Sequence, residues 1–404
     1  SRQFLTNARE HSTIVALFHE VSMAAASLSF PLTAVVLAAG KGTRMKSRLA
    51  KVLHPVGNLP MVGHVLNLAL SVNAAPIALV TAPGMDDVVD VARALAGDID
   101  SAIQNEPRGT AHAVLAAKPV LGPLEGVLLV LYGDTPLMTP ATLATVIDTL
   151  ASHPRCAVCV LGFTPEDPGS YGRLVCDDQG ALLRIVEAKD ASEDERAIDL
   201  CNSGVMALRG ALAWELLEQI GNQNAKQEFY LTDIVAIARR AGHTARVVTC
   251  AEEEVLGVNS QNELAIAEAI FQYRQRQKFM DEGVTLIDPD SVFFSADTKI
   301  SAGVMIEPNV WIGPGVTIES GARIKAFSHV EGAQIGAHST VGPLARLRPG
   351  TTLGAGVKLG NFVDTKQATI GDDAKISHIS YVGDAVAGRN ANLGAGTAWC
   401  NHDV

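Results

Sequence analysis

The sequence predicts two fold classes joined end to end: an α/β, Rossmann-like domain with a mainly parallel sheet, then a left-handed parallel β-helix of hexapeptide repeats. Three observations carry this. Short apolar runs alternate with amphipathic segments from Thr33 to about residue 257, the pattern of βαβ units. From about residue 284 aliphatic residues recur at every sixth position. Between the two, Leu264, Ile266, Ala267, Ile270 and Phe271 precede a charged run, which reads as one linking helix over Gln261–Asp281. The expected division is 1–32, 33–259, 260–283 and 284–404.

Residues 1–32 lack a basic stretch followed by a long apolar core, so no secretory signal is expected there. They read as a loosely ordered extension, with Met23 as a candidate natural start. Ala34–Ala38 is a β-branched apolar run ending at Gly40, a buried strand. Helices are expected over Met61–Val72, Asp86–Ala96, Thr110–Ala117 and Pro140–Ala151, and strands over Ile77–Thr81, Val127–Tyr132 and Cys156–Gly162. Between about 164 and 208 the pattern shortens to Arg173–Cys176, Leu182–Glu187 and Ser203–Ala207, small strands that extend the sheet over a substrate site.

The six-residue count runs Ile300, Ile306, Ile312, Ile318, Ile324, Val330. It slips once and resumes at Ile335, Val341, Leu347, Leu353 and Leu359. It slips again before Ile370, Ile376 and Val382, with Leu393 in a later phase. No α-helix has that period, and Gly303, Pro308, Gly313, Pro314 and Gly315 would break one. Each hexad makes a short strand and a turn, with the aliphatic residue stacked inward.

A chain of 404 residues is too long for one ordinary core, and 48% apolar with 19% charged residues is globular. The net charge of -11 argues against a general nucleic-acid binder and leaves room for a local basic pocket. No run of 18 apolar residues suggests a membrane span. The cysteines are scattered. Cys156 and Cys159 form one C-x-x-C inside a strand-like run, with no second pair at zinc spacing, so they read as small strand residues in a reducing cytoplasm.

The first strand runs into Gly40-Lys41-Gly42-Thr43-Arg44-Met45. Glycines let a backbone approach a phosphate, and successive N–H groups make an anion-binding concavity. Arg44 and Lys51 add positive charge. The spacing matches neither the dinucleotide fingerprint nor the Walker A loop. The wider string Leu37-Ala38-Ala39-Gly40-Lys41-Gly42-Thr43-Arg44-Met45 with Lys51 resembles the signature of sugar-nucleotide pyrophosphorylases, which have a nucleotide-diphospho-sugar transferase fold.

Further segments follow in order. They are Gln104 with Gly109-Thr110-Ala111-His112-Ala113; Tyr132-Gly133-Asp134-Thr135-Pro136-Leu137; Tyr171-Gly172-Arg173; Glu187; Asn202-Ser203-Gly204; Tyr230-Leu231-Thr232-Asp233; and Gly257-Val258-Asn259. With the hexad tail, residues 33–404 resemble the bifunctional bacterial N-acetylglucosamine-1-phosphate uridyltransferase/glucosamine-1-phosphate N-acetyltransferase family. The resemblance implies UTP and N-acetylglucosamine-1-phosphate as substrates of the first half, with Mg²⁺ held by Asp134 and Asn259. The uracil would sit near Leu37, Gln104, Gly109 and Thr110. Gly172, Glu187 and Asn202 would hold the sugar and ribose. Tyr132 and Asp134 would lie in the same pocket, and Arg44 and Lys51 would stabilise phosphoryl charge. The product, UDP-N-acetylglucosamine, is a precursor of cell-wall peptidoglycan. Taken alone, Asp134 reads equally as a turn residue and Asn259 as a helix cap.

The repeat slips near Arg348, Lys366, His378, Tyr381, Asn392 and Asn401. Gly360-Asn361-Phe362-Val363-Asp364-Thr365-Lys366 and His378-Ile379-Ser380-Tyr381-Val382-Gly383-Asp384 resemble the acetyltransferase half. His378 would be the general base toward the amine of glucosamine-1-phosphate, which a neutral imidazole can be. Arg348 and Lys366 would hold the sugar phosphate, and Tyr381, Asn392 and Asn401 would orient the substrate. Ala395 would lie on the acetyl-coenzyme A path. The resemblance further implies a homotrimer in the full-length form.

Three departures stand out: Ala50 where the family commonly has proline, Asp364 where it often has glutamate, and Asn401-His402-Asp403-Val404 at the end of the chain. The first predicts a looser loop, the second a longer reach to His378, and the third a chain cut before its last coils, with weaker acetyl transfer and trimer formation. The competing readings are a monofunctional sugar-1-phosphate nucleotidylyltransferase with a structural rod, and a non-catalytic subunit of the same plan. The His378/Tyr381 cluster argues against the first, and the presence of Lys51, Asp134 and Asn259 against the second.

Overall fold

The computed structural model describes residues 30–399, which fall into two compact units. The first holds the described chain up to His54 and Pro60–Ala267; the second holds Pro55–Leu59 and the chain from Glu268 onward.

The first unit is built on one sheet. Its strands are β1 (Leu32–Leu37), β2 (Ile77–Thr81), β3 (Asp100–Ile103), β4 (Val127–Tyr132), β5 (Cys156–Phe163), β6 (Arg173–Cys176), β7 (Leu182–Val186), β8 (Cys201–Arg209) and β9 (Thr244–Cys250). The order is β9-β5-β8-β4-β1-β2-β3, with β6 pairing β8 and β7. β1 is parallel to β2 and β4, β2 to β3, and β9 to β5, whereas β8 runs antiparallel between β4 and β5. The parallel strands are apolar without interruption because both faces are covered. Alternate residues feed opposite layers: Leu129 and Leu131 one, Leu128 and Val130 the other. Helices α1 (Met61–Ser71), α2 (Asp86–Ala96) and α5 (Pro140–Ala151) close the first layer. Helices α3 (Thr110–Ala116), α7 (Gly210–Glu218) and α8 (Ile234–Arg240) close the second. Two short helices, α4 (Lys118–Leu121) and α6 (Glu193–Arg196), sit on connections. β3, α7, α8 and β9 have no counterpart in the sequence reading, because their apolar patterns are short.

Cys156 and Cys159 are buried in β5, and burial pushes the Cys159 thiol up to about 12. Among the described residues no group of three or more His, Cys, Asp or Glu side chains is placed to hold a metal ion. Both cysteine side chains pack into the layer closed by α1, α2 and α5.

The second unit is a parallel β-helix. Every aliphatic residue of the count from Ile300 to Val382 is buried, and Leu393 is half-buried. Ile300 pairs with Ile318 and Ile306 with Ile324, 18 positions on. Ile318 pairs with Ile335 and Ile324 with Val341, 17 positions on, which absorbs the first slip as one residue lost from a turn. Most strands of the rod are two or three residues long. Lys358–Lys366 and Lys375–Gly383 run for nine residues each, and they pair with Asn361 beside His378 and Asp364 beside Tyr381. Lys366, His378 and Tyr381 thus lie on its two longest strands, whereas Arg348 follows a two-residue strand and Asn392 starts another.

Helix α9 (Gln261–Asp281) is continuous. Its packing departs from the apolar pattern read in the sequence: Ile266 is 48% exposed, while Gln272 and Arg276 are buried. The reason lies in the start of the rod. Gln272 accepts from Phe294 N (2.8 Å) and donates to Phe294 O (2.7 Å), as a neighbouring strand would. Arg276 donates to Val292 O at 3.0 Å and to Asp290. These side chains satisfy first-coil backbone groups that no preceding coil pairs. The Pro55–Leu59 segment packs there too: Gly57 donates to Glu268 at 2.7 Å, and at its φ of 53° a Cβ would stand 2.1 Å from the Phe271 ring.

Candidate functional site

The first constellation lies at the carboxyl ends of β1, β3 and β4, where open α/β sheets place ligands. β1 ends at Leu37, whose carbonyl accepts from Gly133 N (2.9 Å) and ties the Gly40–Gly42 turn to the end of β4. Gly42 has φ 58°, and a Cβ there would meet Lys51 Cβ at 2.5 Å, so the turn closes directly on the lysine stem. Ala50 adopts φ −56°, ψ 140°, the conformation a proline imposes. Ala50 thus holds a backbone conformation that a proline would also accept.

Lys51 Nζ is hydrogen-bonded and ion-paired to Asp134 Oδ2 and lies 3.1 Å from Asn259 Oδ1. Val258 N donates to Asp134 O at 2.9 Å, which fixes the two oxygen-bearing residues side by side. Asn259 does not cap α9. Ser260 does, receiving Glu263 N at 3.3 Å, while Asn259 donates its own N–H to Glu263. Its side-chain oxygen is thereby free to face Lys51. Arg44 is exposed on the one-turn helix Thr43–Met45.

Gln104 follows β3 and is 8% exposed. Its Nε2 donates to Gly109 O at 3.0 Å. Gly109 has φ 114°, and a Cβ there would stand 2.5 Å from Phe229 O, so only glycine fits. Thr110 Oγ1 accepts from Leu231 N at 3.0 Å. Around β6 to β8, Asn202 N donates to Gly172 O at 2.8 Å, and Asn202 Oδ1 accepts from Gly204 N at 3.0 Å. Thr232 Oγ1 donates to Glu187 at 3.2 Å, a partner the sequence reading quoted without assigning it a role. Burial pushes the Glu187 carboxyl above its usual range, against the pull of the Thr232 bond. Burial also raises the Tyr132 hydroxyl, with the nearby Asp134 and Glu187 charges adding to it.

The second constellation follows the coils of the rod. Arg348 N donates to Thr365 O at 2.9 Å, so Arg348 and Lys366 stack on adjacent coils, about 4.8 Å apart in the ladder direction. Two cations at that spacing repel. Asp364 offsets this by accepting from Arg348 Nε at 3.0 Å, with Arg346 at 4.0 Å. The Arg348 guanidinium also lies 5.6 Å from the Tyr381 ring centroid. Asp364 is thus engaged by arginine and is not the group that orients His378. That group is Asn361, whose Oδ1 is 2.8 Å from His378 Nδ1. An amide oxygen only accepts, so Nδ1 carries a proton, which leaves Nε2 as the lone-pair atom of the neutral ring. His378, Asn392 and Ala395 are exposed. Asn401 lies outside the described residues.

Comparison with known proteins bears on both halves. A family model described as a MobA-like NTP transferase domain matches residues 34–199. Proteins named bifunctional protein GlmU align along most of the chain. That of Paramagnetospirillum magneticum is 49% identical over 375 residues, 93% of this chain and 82% of the relative. That of Azorhizobium caulinodans is 51% identical over 372 residues, covering 92% and 82%. That of Zymomonas mobilis is 44% identical over 373 residues, covering 92% and 83%.

Proposed function

Because the chain belongs to the family of bifunctional GlmU proteins, we propose that each of its two constellations carries one of two reactions. The protein is a bifunctional enzyme of UDP-N-acetylglucosamine synthesis. It acetylates glucosamine-1-phosphate from acetyl-coenzyme A, then transfers a uridylyl group from UTP to N-acetylglucosamine-1-phosphate with release of pyrophosphate.

The observation that carries the uridylyl assignment is the Lys51 ammonium set between the oxygens of Asp134 and Asn259. Two hard oxygens that already hold a cation fit Mg²⁺, which takes few protein ligands and completes its shell from phosphates and water. Bound there, Mg²⁺ would supply positive charge to the α-phosphate. The protein's own part is positional and electrostatic. The Gly40–Gly42 turn admits the triphosphate, and Arg44 and Lys51 offset the charge that spreads as the sugar phosphate oxygen attacks in line. Leu37, Gln104, Gly109 and Thr110 surround the uracil. Tyr132, Gly172, Glu187 and Asn202 surround the sugar and ribose.

In the rod, His378 Nε2 takes a proton from the amine as its nitrogen attacks the thioester carbonyl, and coenzyme A thiolate leaves. Arg348 and Lys366 hold the sugar phosphate. Tyr381, Asn392 and Asn401 orient the substrate, and Ala395 borders the acetyl-coenzyme A. A homotrimer fits the corner column of Phe327, Leu344, Phe362 and Ile379. These four are 43–62% exposed, an apolar strip along one corner that a second copy would take out of water. Among the described residues no helix is long and apolar enough to cross a membrane. Unpaired cysteines suit a cytoplasmic location.

The test of the first assignment is pyrophosphate release from UTP and N-acetylglucosamine-1-phosphate. Asp134→Ala should abolish it, and near-normal turnover would refute the metal assignment.

A further inference from the structure

Gln104 is held at three points. Its backbone N donates to Thr81 O (2.8 Å) at the end of β2. Its side-chain nitrogen faces Gly109 O at 3.0 Å and His112 Nδ1 at 3.3 Å. A backbone carbonyl only accepts, so the atom against Gly109 O is the amide nitrogen. That nitrogen can only donate, so His112 Nδ1 must present a lone pair. His112 is then the neutral imidazole with its proton on Nε2. Both amide protons of Gln104 are engaged, and Oε1 remains as the atom available to a ligand.

His112 is itself fixed. It sits in the first turn of α3, with its ring 6.4 Å from that of Phe229. Phe229 is clamped to the same loop through Phe229 N to Arg108 O at 2.8 Å and Ala111 N to Phe229 O at 3.0 Å. Turning the Gln104 amide over would put Oε1 against Gly109 O, a repulsive contact, and would force His112 onto its other tautomer, so the carbonyl and the imidazole together hold the amide as it stands.

We propose that His112 is a positioning residue for base selection: it locks the Gln104 amide so that Oε1 faces the pyrimidine N3 position. This rests on the reading that Gln104 borders the uracil. Uracil carries N3–H, a donor that matches Oε1. Cytosine carries a bare N3 lone pair, which the locked oxygen repels. Gln104 touches the base and His112 acts through it. A site arranged to accept from a substrate N–H rejects the analogue lacking it far more strongly than a greasy pocket does.

The test is kcat/KM for UTP and for CTP at one concentration of Mg²⁺ and N-acetylglucosamine-1-phosphate. His112→Phe keeps the ring packing and removes the lone pair. It should lower the UTP:CTP ratio about tenfold, the size of one neutral hydrogen bond, mainly through KM for UTP. His112→Asn presents a side-chain oxygen near the Nδ1 position and should restore the ratio to within about threefold. A His112→Phe enzyme that loses both nucleotides in parallel, or a His112→Asn enzyme no more selective than His112→Phe, overturns the proposal. Gln104→Ala separates the two readings. If it leaves the ratio unchanged, Gln104 does not face the base and the nucleotide assignment itself falls. If it collapses the ratio while His112→Phe does not, the assignment stands and the role of His112 falls.

Discussion

In the α/β unit, Lys51, Asp134 and Asn259 meet at one ammonium although Lys51 and Asn259 are 208 positions apart. In the β-helix, Asn361 and His378 meet because they are 17 positions apart, one coil. The first site is assembled by a non-local fold, in which strand order decides which loops meet. The second is assembled by counting. Each arrangement has its own weakness. Loop ends of a sheet tolerate insertions that do not touch the ligand. A rod that places side chains by register does not tolerate one inside a strand, where an extra residue turns the side chains that follow in that strand to the opposite face, although a turn can absorb a one-residue change as it does between Ile318 and Ile335.

The largest effects that sharpen this comparison concern charge in the α/β unit. Lys51→Met removes the cation from Asp134 and should lower uridylyl transfer by about 10²–10³-fold, with acetylation unchanged in the same preparation. Loss of both activities would show that the sites are not separate. Nearly as large should be the effect of inserting one glycine after Ser377, inside the strand Lys375–Gly383 and directly before His378. Acetylation should vanish while pyrophosphate release persists. A glycine inserted after Gly180, an exposed turn of the α/β unit, should leave both within about twofold. Equal tolerance at the two places would break the comparison.

Asn361→Ala should lower acetylation by about 10–100-fold by releasing the imidazole, the range seen when a group that orients histidine is lost. Asn361→Asp, which keeps an acceptor, should recover most of it and move the acidic limb of the pH–rate profile to higher pH, because a carboxylate favours the imidazolium. An unshifted limb in Asn361→Asp counts against the contact.

Glu187 gives a smaller, pH-dependent effect. Burial raises its carboxyl in the folded state, so the group favours folding below its unfolded pKa, and that contribution is lost as pH rises through the folded value. The melting temperature of Glu187→Gln should therefore gain on the parent as pH rises from about 4 to neutrality. A gain in the opposite direction would mean that the Thr232 bond outweighs burial. Smallest is Ala50→Pro. With φ already at −56°, it should stabilise the protein by about 0.4–1 kcal/mol in denaturant unfolding, through the unfolded chain.

The β-helix was legible almost residue by residue, because a fixed period announces itself and each counted aliphatic side chain must be inside. The α/β strands were legible where burial on both faces makes a continuous apolar run, as in β4 and β5. Less visible were features that one element supplies to another. Nothing in a helical pattern says that Gln272 and Arg276 will be buried, since their reason is the open end of the first coil. Asn259 and Ser260 are both good cap residues, and only coordinates show that Ser260 takes the cap. Asn361 sits in an irregular stretch, but its role depends on a coil length that the slip obscures. The glutamine–histidine contact needed the clamp on Phe229 to bring α3 against the end of β3.

The most direct test of two independent sites is to measure both half-reactions side by side in Asp134→Ala and His378→Ala. Two separate sites predict a double dissociation: Asp134→Ala loses pyrophosphate release and keeps acetylation of glucosamine-1-phosphate, and His378→Ala does the reverse. Parallel loss of the two activities in either variant would contradict it.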